Sequence, residues 1–324
     1  MEKMSQSLIS AFSMVALSIT MASCTSTQLY QQPSHSNLTL ETLSFDGRAR
    51  TYYLYLPPKD KSAAKLAVVV VLHGGGKADG NEMAEMTGYN KLADREGFIA
   101  VYPNGVDAQW NDGRGKTFRK AEDISKVNDI GFLSALIELL IRDYNGDPRR
   151  IYVTGLSNGG MMTLRLGCEI GSKLAAIAPV IANMPANIVG TCKPDSPLPV
   201  LLMNGTTDPL VPWDGGSVRF FRRAMGEVVS TAETVQFWVK HNQCNSTPDI
   251  VILPDNDRND GSRVKVLTYK SNRNGADVIL YAIEGGGHNF PGSNIPDRPR
   301  ILGRKNNDIN GPEVIWEFFK QHSK

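Results

Sequence analysis

A serine placed between two glycines is the residue of this chain best suited to chemistry. Ser157 lies in Gly155-Leu156-Ser157-Asn158-Gly159, which matches the G-x-S-x-G pattern of a nucleophile elbow. A buried-type apolar run precedes this stretch and a helical run follows it, so the serine is predicted at a tight strand-to-helix turn. The two glycines remove side chains that would collide there. The hydroxyl would then stand at a helix N-terminus, where backbone N–H groups can stabilise an oxyanion.

A serine nucleophile needs a general base, and His288 is the candidate among the five histidines. Three glycines at 285–287 precede it and would let a loop bring its imidazole over the edge of a sheet. His35 lies in a polar N-terminal segment and His73 in a glycine-rich loop. His241 is expected to be solvated among polar residues of a predicted helix, and His322 lies at the C-terminus.

The base in turn needs an acid that orients it, and Asp208 is the candidate. In the strand-helix architecture that carries a nucleophile elbow, the chain order is serine, acid, histidine, and the acid follows a strand. Asp208 comes shortly after the apolar run at 198–205. Asp195 precedes that run and Asp277 begins the next one, so both fit less well. A turn-forming role in Asp-Pro is the alternative for Asp208.

An oxyanion hole needs a second backbone N–H besides that of Asn158. The stretch LHGGGK at 72–77 follows a β-branched run and matches the H-G-G-G type of loop, in which glycines let the backbone approach the substrate. Gly75 is the preferred donor and Gly76 the alternative. His73 is expected to brace this loop rather than to act as a base.

The elements that must position these residues alternate between strands and helices. Apolar or β-branched runs predict strands at 51–57, 65–74, 98–105, 149–155, 198–205 and 277–285. Periodicity, caps and flanking glycines predict helices at 88–97, 129–144, 160–171 and 312–322. This alternation predicts an α/β fold with a mostly parallel central sheet and helices on both faces. No composition break follows residue 38, so one catalytic domain at 38–324 is expected.

The N-terminal segment predicts export. A charged start, an apolar stretch and small residues form a signal peptide at 1–24, whose apolar part is too short for a comfortable transmembrane helix. Met-Ala-Ser-Cys, ending at Cys24, resembles the lipobox of bacterial lipoproteins, with ordinary secretion as the alternative. Polar residues at 25–37 would form a tether. The protein is expected at the outer membrane or cell surface, held only by this lipid anchor, and otherwise secreted or periplasmic.

Neither nucleic acid nor a metal ion is expected as a partner. The formal net charge is +2 without a long basic run, which weakens any phosphate-binding interpretation. No carboxylate or cysteine stands at ligand spacing beside His73 or His288. The acidic stretch at 255–261 fails as a calcium loop because Gly261 comes one place late and Val266 stands where glutamate should close it. A solvated hairpin turn is predicted there.

Export also permits a disulfide. If Cys24 carries lipid, Cys168, Cys192 and Cys244 remain, which allows one bridge and one thiol. Cys168 and Cys192 are nearer in sequence and are the favoured pair, although sequence alone leaves the pairing open.

Six blocks of the chain, in this order, resemble the secreted polyhydroxybutyrate depolymerase/feruloyl esterase family of α/β-hydrolases, of the carbohydrate esterase family one type. They read VVLHGGG, YPNGVDAQWNDGRG, DIGFL, IYVTGLSNGGMM, NGTTDPLVPWDGG and EGGGHNFPG, and the resemblance covers about residues 40–320. It implies an α/β-hydrolase fold, the three reactive residues already reached from spacing, and the Cys168–Cys192 disulfide. Family members often pair the cysteine at Cys244 within the following hairpin; that partner is missing here, which leaves a free thiol.

One block departs from the family pattern. The usual GHTWPG is GHNFPG here, so that Asn289 and Phe290 stand beside the base. The resemblance therefore implies the reaction more strongly than it implies the shape of the substrate pocket.

The reaction implied is two-step hydrolysis of a carboxylic ester by a serine esterase that needs no cofactor. A feruloyl or acetyl ester of a plant polysaccharide is the predicted substrate, with polyhydroxybutyrate or its oligomers second, because no polymer-binding module or long apolar surface segment is present in the sequence. A peptidase and an inactive binding protein on the same scaffold are the remaining alternatives. Trp110, Arg114 and Trp213 are candidate substrate-binding residues in loops at the catalytic edge. Bracing the loop internally is the alternative for the first two.

Overall fold

A ten-stranded sheet forms the centre of the computed structural model, which describes residues 38–58, 64–76, 78–115, 123–221, 223–272, 275–296 and 298–324. The predicted signal peptide, Cys24 and the tether at 25–37 lie outside the described residues. No helix in the described ranges is long and apolar enough to cross a membrane.

Twelve strands are present in the described ranges. In chain order they are β1 (Leu38–Phe45), β2 (Arg48–Tyr55), β3 (Leu66–Leu72), β4 (Phe98–Pro103), β5 (Gly146–Leu156), β6 (Ala176–Val180), β7 (Val200–Gly205), β8 (Gly216–Phe220), β9 (Arg223–Val228), β10 (Asp249–Ile252), β11 (Arg263–Tyr269) and β12 (Val278–Glu284). The large sheet has the order β1-β2-β4-β3-β5-β6-β7-β12-β11-β10, while β8 and β9 form a separate antiparallel pair. Strands β4, β3, β5, β6, β7 and β12 run parallel, and an antiparallel pair closes each end. The predicted mostly parallel sheet is confirmed.

Eight α-helices accompany these strands, and the last two follow β12. They are α1 (Gly80–Thr87), α2 (Tyr89–Glu96), α3 (Asp129–Asp143), α4 (Asn158–Ile170), α5 (Ala186–Val189), α6 (Thr231–His241), α7 (Pro299–Leu302) and α8 (Gly311–Phe319), all within the described part of the chain. The predicted boundaries follow from the capping residues. The Asn128 side chain accepts the N–H of Gly131 at the start of α3, and Gly97 ends α2 with φ 75°.

The sheet is covered on both faces because its central strands are apolar on both sides. Alternate residues of β3 enter two separate cores: Val68 and Val70 pack with α3, α4 and α6, whereas Val69 and Val71 pack with α1, α2 and α8. This explains the continuous β-branched run in the sequence, since a strand buried on both faces has no polar side.

Two expectations about polar segments are tested by the fold. The stretch 255–261 connects β10 to the antiparallel β11, which confirms the hairpin. His241 was expected to be solvated, but it is half-buried: its Nε2 lies 3.0 Å from the Ser196 carbonyl and its ring stacks on Phe237. The correction arises because the segment before β7 packs against the end of α6.

A disulfide joins Cys168 near the end of α4 to Cys192, with Cα atoms 5.0 Å apart. The predicted pairing is confirmed. Cys244 is a free cysteine, with its Sγ 3.5 Å from the Ala276 carbonyl oxygen, and burial raises the pKa of its thiol. The bridge therefore fixes the far end of the helix that begins beside Ser157.

Replacing Cys168 and Cys192 together by alanine is expected to lower the free energy of unfolding by about 3 kcal/mol, because the closed loop restricts the unfolded chain. Urea unfolding of the double variant and of Cys244→Ala checks this, with the latter expected to change the value by less than about 1 kcal/mol. Equal losses in the two variants would show that the bridge contributes nothing beyond packing.

Candidate active site

Ser157 occupies the turn between β5 and α4 in a strained conformation. Its φ is 55° and its ψ is −115°, a positive φ that residues other than glycine rarely adopt. Its N–H donates to the Val180 carbonyl at 3.0 Å, and its own carbonyl accepts the N–H of Met161 at 2.8 Å. The neighbouring strand and the first turn of the helix therefore hold the serine in this conformation, as the elbow pattern predicts.

The two glycines of the motif are required by close backbone contacts. A Cβ added at Gly155 would lie 2.5 Å from the Gly159 carbonyl oxygen. A Cβ at Gly159 would lie 2.5 Å from the carbonyl oxygens of Leu72 and His73. The start of α4 is thus pressed against the end of β3. A Cβ at Gly74 would lie 3.8 Å from that of Ser157, so the glycine-rich loop passes beside the serine.

His288 and Asp208 form a buried hydrogen-bonded pair. Nδ1 of His288 lies 2.7 Å from Oδ2 of Asp208, and their side chains are 9% and 3% exposed. Oδ1 of the same carboxylate accepts the N–H groups of Leu210 at 2.7 Å and Val211 at 2.8 Å. Because an ionised carboxylate only accepts, Nδ1 carries the imidazole proton and Nε2 keeps a lone pair.

The parallel sheet explains why residues distant in sequence share one edge. Ser157, Asp208 and His288 each follow the carboxyl end of a strand, namely β5, β7 and β12, and β7 is hydrogen-bonded to β12. The loops after β7 and β12 also touch directly. Thr207 donates both its N–H and its hydroxyl to the Gly286 carbonyl at 3.0 Å. A Cβ at Gly205 would lie 2.4 Å from that same oxygen, so this contact needs glycine.

His73 braces the glycine-rich loop, as predicted. Its Nδ1 lies 2.7 Å from the Gly74 carbonyl oxygen, and its Nε2 accepts the N–H of Gly105 at 2.9 Å. These two bonds require a neutral ring protonated on Nδ1. The ring is fully buried, and this burial lowers the pKa of His73 to about 4.

The His73 pKa gives a pH prediction. In the unfolded chain, His73 has a pKa of about 6.5 and binds a proton as the pH falls below that value. In the folded chain, the imidazole stays neutral until the pH approaches 4, so the free energy of unfolding decreases as the pH falls from 6.5 to 4. The contribution lost is about 3 kcal/mol. Urea unfolding between pH 4 and pH 7 should therefore show a steeper pH dependence in the native chain than in His73→Gln. Parallel curves would contradict a neutral, buried imidazole.

Trp110 and Arg114 are buried, which corrects their predicted contact with substrate. Trp110 is 1% exposed and its indole N–H donates to the His73 carbonyl at 2.9 Å. Arg114 is 5% exposed; its guanidinium pairs with Asp112 at 2.6 Å and donates to the Met225 carbonyl at 2.9 Å. The N–H groups of both side chains donate to acceptors inside the protein. The alternative prediction, that these residues brace the loop internally, therefore accounts for them.

The Asn158 side chain clamps the same loop beside the nucleophile. Its Oδ1 accepts the Trp110 N–H at 2.8 Å, and its Nδ2 donates to the Trp110 carbonyl at 3.0 Å and to Asp112 Oδ2 at 2.6 Å. Asp112 thus joins Asn158 to Arg114. Sequence reasoning missed this network, because it considered only the backbone N–H of Asn158. Within the block WNDGRG, the unlike charges of Asp112 and Arg114, two positions apart, were the available signal.

A second buried ion pair fixes the other side of this loop. Arg50 donates to Asp129 Oδ1 at 2.7 Å and lies over the Phe132 ring, 4.0 Å from its centroid. Asp129 Oδ2 accepts the N–H of Asn111 at 2.7 Å. Burial raises the pKa of Asp129, against the opposing effect of Arg50. Asp129, the first residue of α3, thus connects this helix to the loop.

The residues beside the base face the protein rather than a pocket. The Asn289 amide donates to the carbonyl groups of Gly303 at 3.1 Å and Arg304 at 3.2 Å, and Phe290 is fully buried. The two positions that depart from the family pattern therefore support the base loop in this chain. Trp213 is half-buried, and its carbonyl accepts the N–H of Thr231 at 2.8 Å. It keeps exposed surface, unlike the other two candidates for substrate contact.

Comparisons with known proteins found esterases among the relatives of this chain. A family model described as esterase PHB depolymerase matches residues 50–187. The chain is 30% identical to a putative esterase NocK of Nocardia uniformis subsp. tsuyamanensis, over 84% of this chain and 79% of that protein. It is 28% identical to feruloyl esterase B of Piromyces equi, over 61% and 35% of the two chains. It is 31% identical to a poly(3-hydroxybutyrate) depolymerase of Ralstonia pickettii, over 39% and 27%.

A solved structure shares the fold. The acetyl xylan esterase from Aspergillus awamori superposes with a TM-score of 0.55 at 15% identity, covering 87% of this chain and 99% of the other. The family match at 50–187 contains Ser157 and the glycine-rich loop, and it ends before Asp208 and His288.

Proposed function

Because this chain belongs to the esterase PHB depolymerase family of α/β-hydrolases and is a carboxylic ester hydrolase, we propose that it hydrolyses feruloyl or acetyl esters of plant polysaccharides with Ser157, His288 and Asp208. The observation that carries the proposal is the bond between His288 and Asp208, formed at the sheet edge where the strained Ser157 turn lies. Relatives named as feruloyl esterases support the acyl group.

The proposed mechanism has two steps. His288 Nε2 removes the Ser157 proton as the serine oxygen attacks the ester carbonyl, and Asp208 stabilises the imidazolium through Nδ1. The N–H groups of Asn158 and Gly75 stabilise the tetrahedral oxyanion, a position supported by the passage of the glycine-rich loop beside Ser157. The alcohol leaves with a proton from His288, and an activated water then releases the acid. Apart from the ester and the water, each proposed step uses side chains and backbone groups of this chain.

Trp213 is the remaining candidate for contact with the substrate. It is half-buried and follows Asp208 by five positions, so the acid loop carries it to the same sheet edge. An indole with one exposed face can stack on a feruloyl ring or on a sugar.

The proposal includes export. The Cys168–Cys192 disulfide suits an oxidising compartment, in agreement with a signal peptide at 1–24, a tether at 25–37 and a lipid on Cys24. The domain at 38–324 would then act outside the cytoplasm, with a small-molecule or polymer ester as its partner. Cys24→Ser should abolish incorporation of a labelled fatty acid in cells; unchanged incorporation would contradict the anchor.

The test is a comparison of three esters with the full-length chain in detergent. We expect release of ferulate from methyl ferulate and of acetate from acetylated xylan to exceed hydrolysis of a 3-hydroxybutyrate trimer. Ser157→Ala should abolish all three activities, and Ser44→Ala, at an exposed position in β1, should retain them. Preference for the hydroxybutyrate trimer would move the substrate to polyester oligomers. Turnover that persists in Ser157→Ala would overturn the mechanism.

A further inference from the structure

The edge strand β10 carries exposed apolar side chains on both of its faces. Ile250, Val251 and Ile252 are 54%, 55% and 68% exposed, and β10 is the last strand in the order of the large sheet. Successive residues of a strand point to opposite faces, so the two isoleucines lie on one face and Val251 on the other. Edge strands that stay in water are commonly protected by lysine, proline or a bulge. The only charged residue of β10 is Asp249 at its start, so this edge favours pairing with another strand.

The main-chain groups on the open side of β10 belong to Ile250 and Ile252. The N–H of Leu253 donates to the Val264 carbonyl in β11 at 2.9 Å, which fixes the direction of the main-chain groups along the strand. Because these directions alternate in an antiparallel ladder, Val251 faces β11 as Leu253 does, while Ile250 and Ile252 face away from it. Within the described part of the chain, no strand lies on that side of β10. The open edge therefore offers two N–H donors and two carbonyl acceptors.

The sequence around this strand reads almost the same in both directions. The stretch 248–254 is Pro-Asp-Ile-Val-Ile-Leu-Pro, with Val251 at its centre, an isoleucine on each side of it and a proline at each end. A second copy that runs antiparallel can therefore pair with it about a two-fold axis at Val251. Ile250 of each copy then stands opposite Ile252 of the other, and each such pair exchanges two hydrogen bonds. All four main-chain groups that face the open edge are satisfied in this register.

The two prolines disfavour the neighbouring registers. A shift by one residue would place side chains of opposite faces against each other, which the pleat of a sheet forbids. A shift by two would bring Pro248 or Pro254 into the paired stretch. Because proline has no N–H, the isoleucine carbonyl opposite it would lack a donor. The axis at Val251 is therefore the register that the residues of this strand favour.

We propose that β10 pairs with β10 of a second copy of this chain, so that the two large sheets join across a two-fold axis at Val251. The contact is closed, because both copies use the same strand. β10 runs parallel to β12, since each is antiparallel to β11, and the axis reverses all strands of the second copy. The carboxyl edges of the two sheets, which carry the proposed active sites, then face opposite directions. Pairing therefore leaves the two sites open and independent of each other.

Val251→Lys tests the pairing in the full-length chain, because it places two lysines opposite each other on the axis. Sedimentation equilibrium in density-matched detergent should show a native dimer that dissociates in the micromolar range, since one strand pair buries less than the about 800 Å² per partner of a standard interface. Val251→Lys should raise the dissociation constant at least about tenfold, because each dimer carries the change twice. Leu40→Lys, at a 58% exposed position of the opposite edge strand β1, is the matched control and should dissociate as the native chain does.

Cysteine cross-linking tests the register itself. In a full-length background of Cys24→Ser and Cys244→Ala, Val251→Cys places two thiols at a pair without main-chain hydrogen bonds, where opposite side chains are closest. Mild oxidation should therefore give a covalent dimer on a non-reducing gel. Asp249→Cys stands opposite Leu253 of the other copy, several residues from the second thiol, and should cross-link at least about tenfold more slowly.

Three outcomes would overturn the pairing. The first is a native chain that stays monomeric at its highest soluble concentration; slow hydrogen exchange of the Ile250 and Ile252 amides would then assign the edge to a segment of the same chain. The second is a dimer that survives Val251→Lys, or that Leu40→Lys dissociates instead, which would place the contact on another surface. The third is equal cross-linking of Val251→Cys and Asp249→Cys, which would indicate random collision. None of these measurements uses ester hydrolysis, so the proposed function is tested separately.

Discussion

Asp208→Asn is expected to lower kcat/KM for methyl ferulate by about 10⁴-fold, because it imposes the wrong tautomer on His288. Oδ1 of Asp208 accepts two backbone N–H groups, from Leu210 and Val211, so an asparagine must place its carbonyl oxygen there. Its NH₂ group, which is a donor, then faces Nδ1 of His288, so Nδ1 must act as the acceptor. The ring proton moves to Nε2, and the base loses the lone pair that receives the Ser157 proton.

Steady-state kinetics and urea unfolding together check this prediction. Asp214→Asn, an exposed carboxylate in the same loop, should retain native kinetics. Asp208→Asn should keep most of its stability, because each of its hydrogen bonds is replaced. Native activity in Asp208→Asn would place the acid elsewhere. An unfolded Asp208→Asn would be uninformative about the tautomer, and His288→Gln would then be measured for the same loss.

Asp112→Ala is expected to lower the free energy of unfolding by about 3–5 kcal/mol, because it leaves the Arg114 guanidinium buried without its partner. The two side chains are each 3% exposed, so water cannot replace the lost carboxylate. The substitution also removes one of the two acceptors of the Asn158 amide, the Asp112 carboxylate at 2.6 Å, and leaves the Trp110 carbonyl at 3.0 Å. Activity should therefore fall together with stability.

A double variant separates these two effects. Asp112→Leu combined with Arg114→Met replaces the ion pair by apolar side chains, a change that is often neutral or stabilising in buried pairs. We expect it to recover most of the stability lost in Asp112→Ala, while kcat remains low because the Asn158 amide still lacks its shorter bond, the one to Asp112. Urea unfolding and single-turnover kinetics measure the two quantities. Full recovery of kcat would show that the Asn158 clamp has no part in positioning the oxyanion donor.

The parts of the fold that the sequence predicts are those with local physical causes. The β-branched run of β3 indicates burial on two faces, and the glycines around Ser157 indicate a tight turn between a strand and a helix. The order of serine, acid and base follows from the direction of parallel strands. The strand and the turn can each be read within about ten residues, because period and turn chemistry are local.

The loop contacts could not be predicted in this way. Trp110 and Arg114 were candidates for substrate contact, with bracing of the loop as the alternative, and they are buried by partners 37 and 111 residues away in sequence. A side chain that donates a hydrogen bond to a distant carbonyl leaves no periodic pattern in the sequence. The β8–β9 hairpin also lacks the Asn-Gly turn that would have predicted it, since Phe221 occupies its loop.

The long sequence separation within the site has a consequence for folding kinetics. Asp208 and His288 are 80 residues apart, and β12 enters the sheet beside β7. Such contacts have a high contact order and form late, after the cost of closing a long loop has been met. A nascent chain that ends before β12 has its elbow but no base. Recovery of hydrolysis during refolding should consequently lag behind recovery of helix content, which makes ester turnover a sensitive probe of the last step of folding.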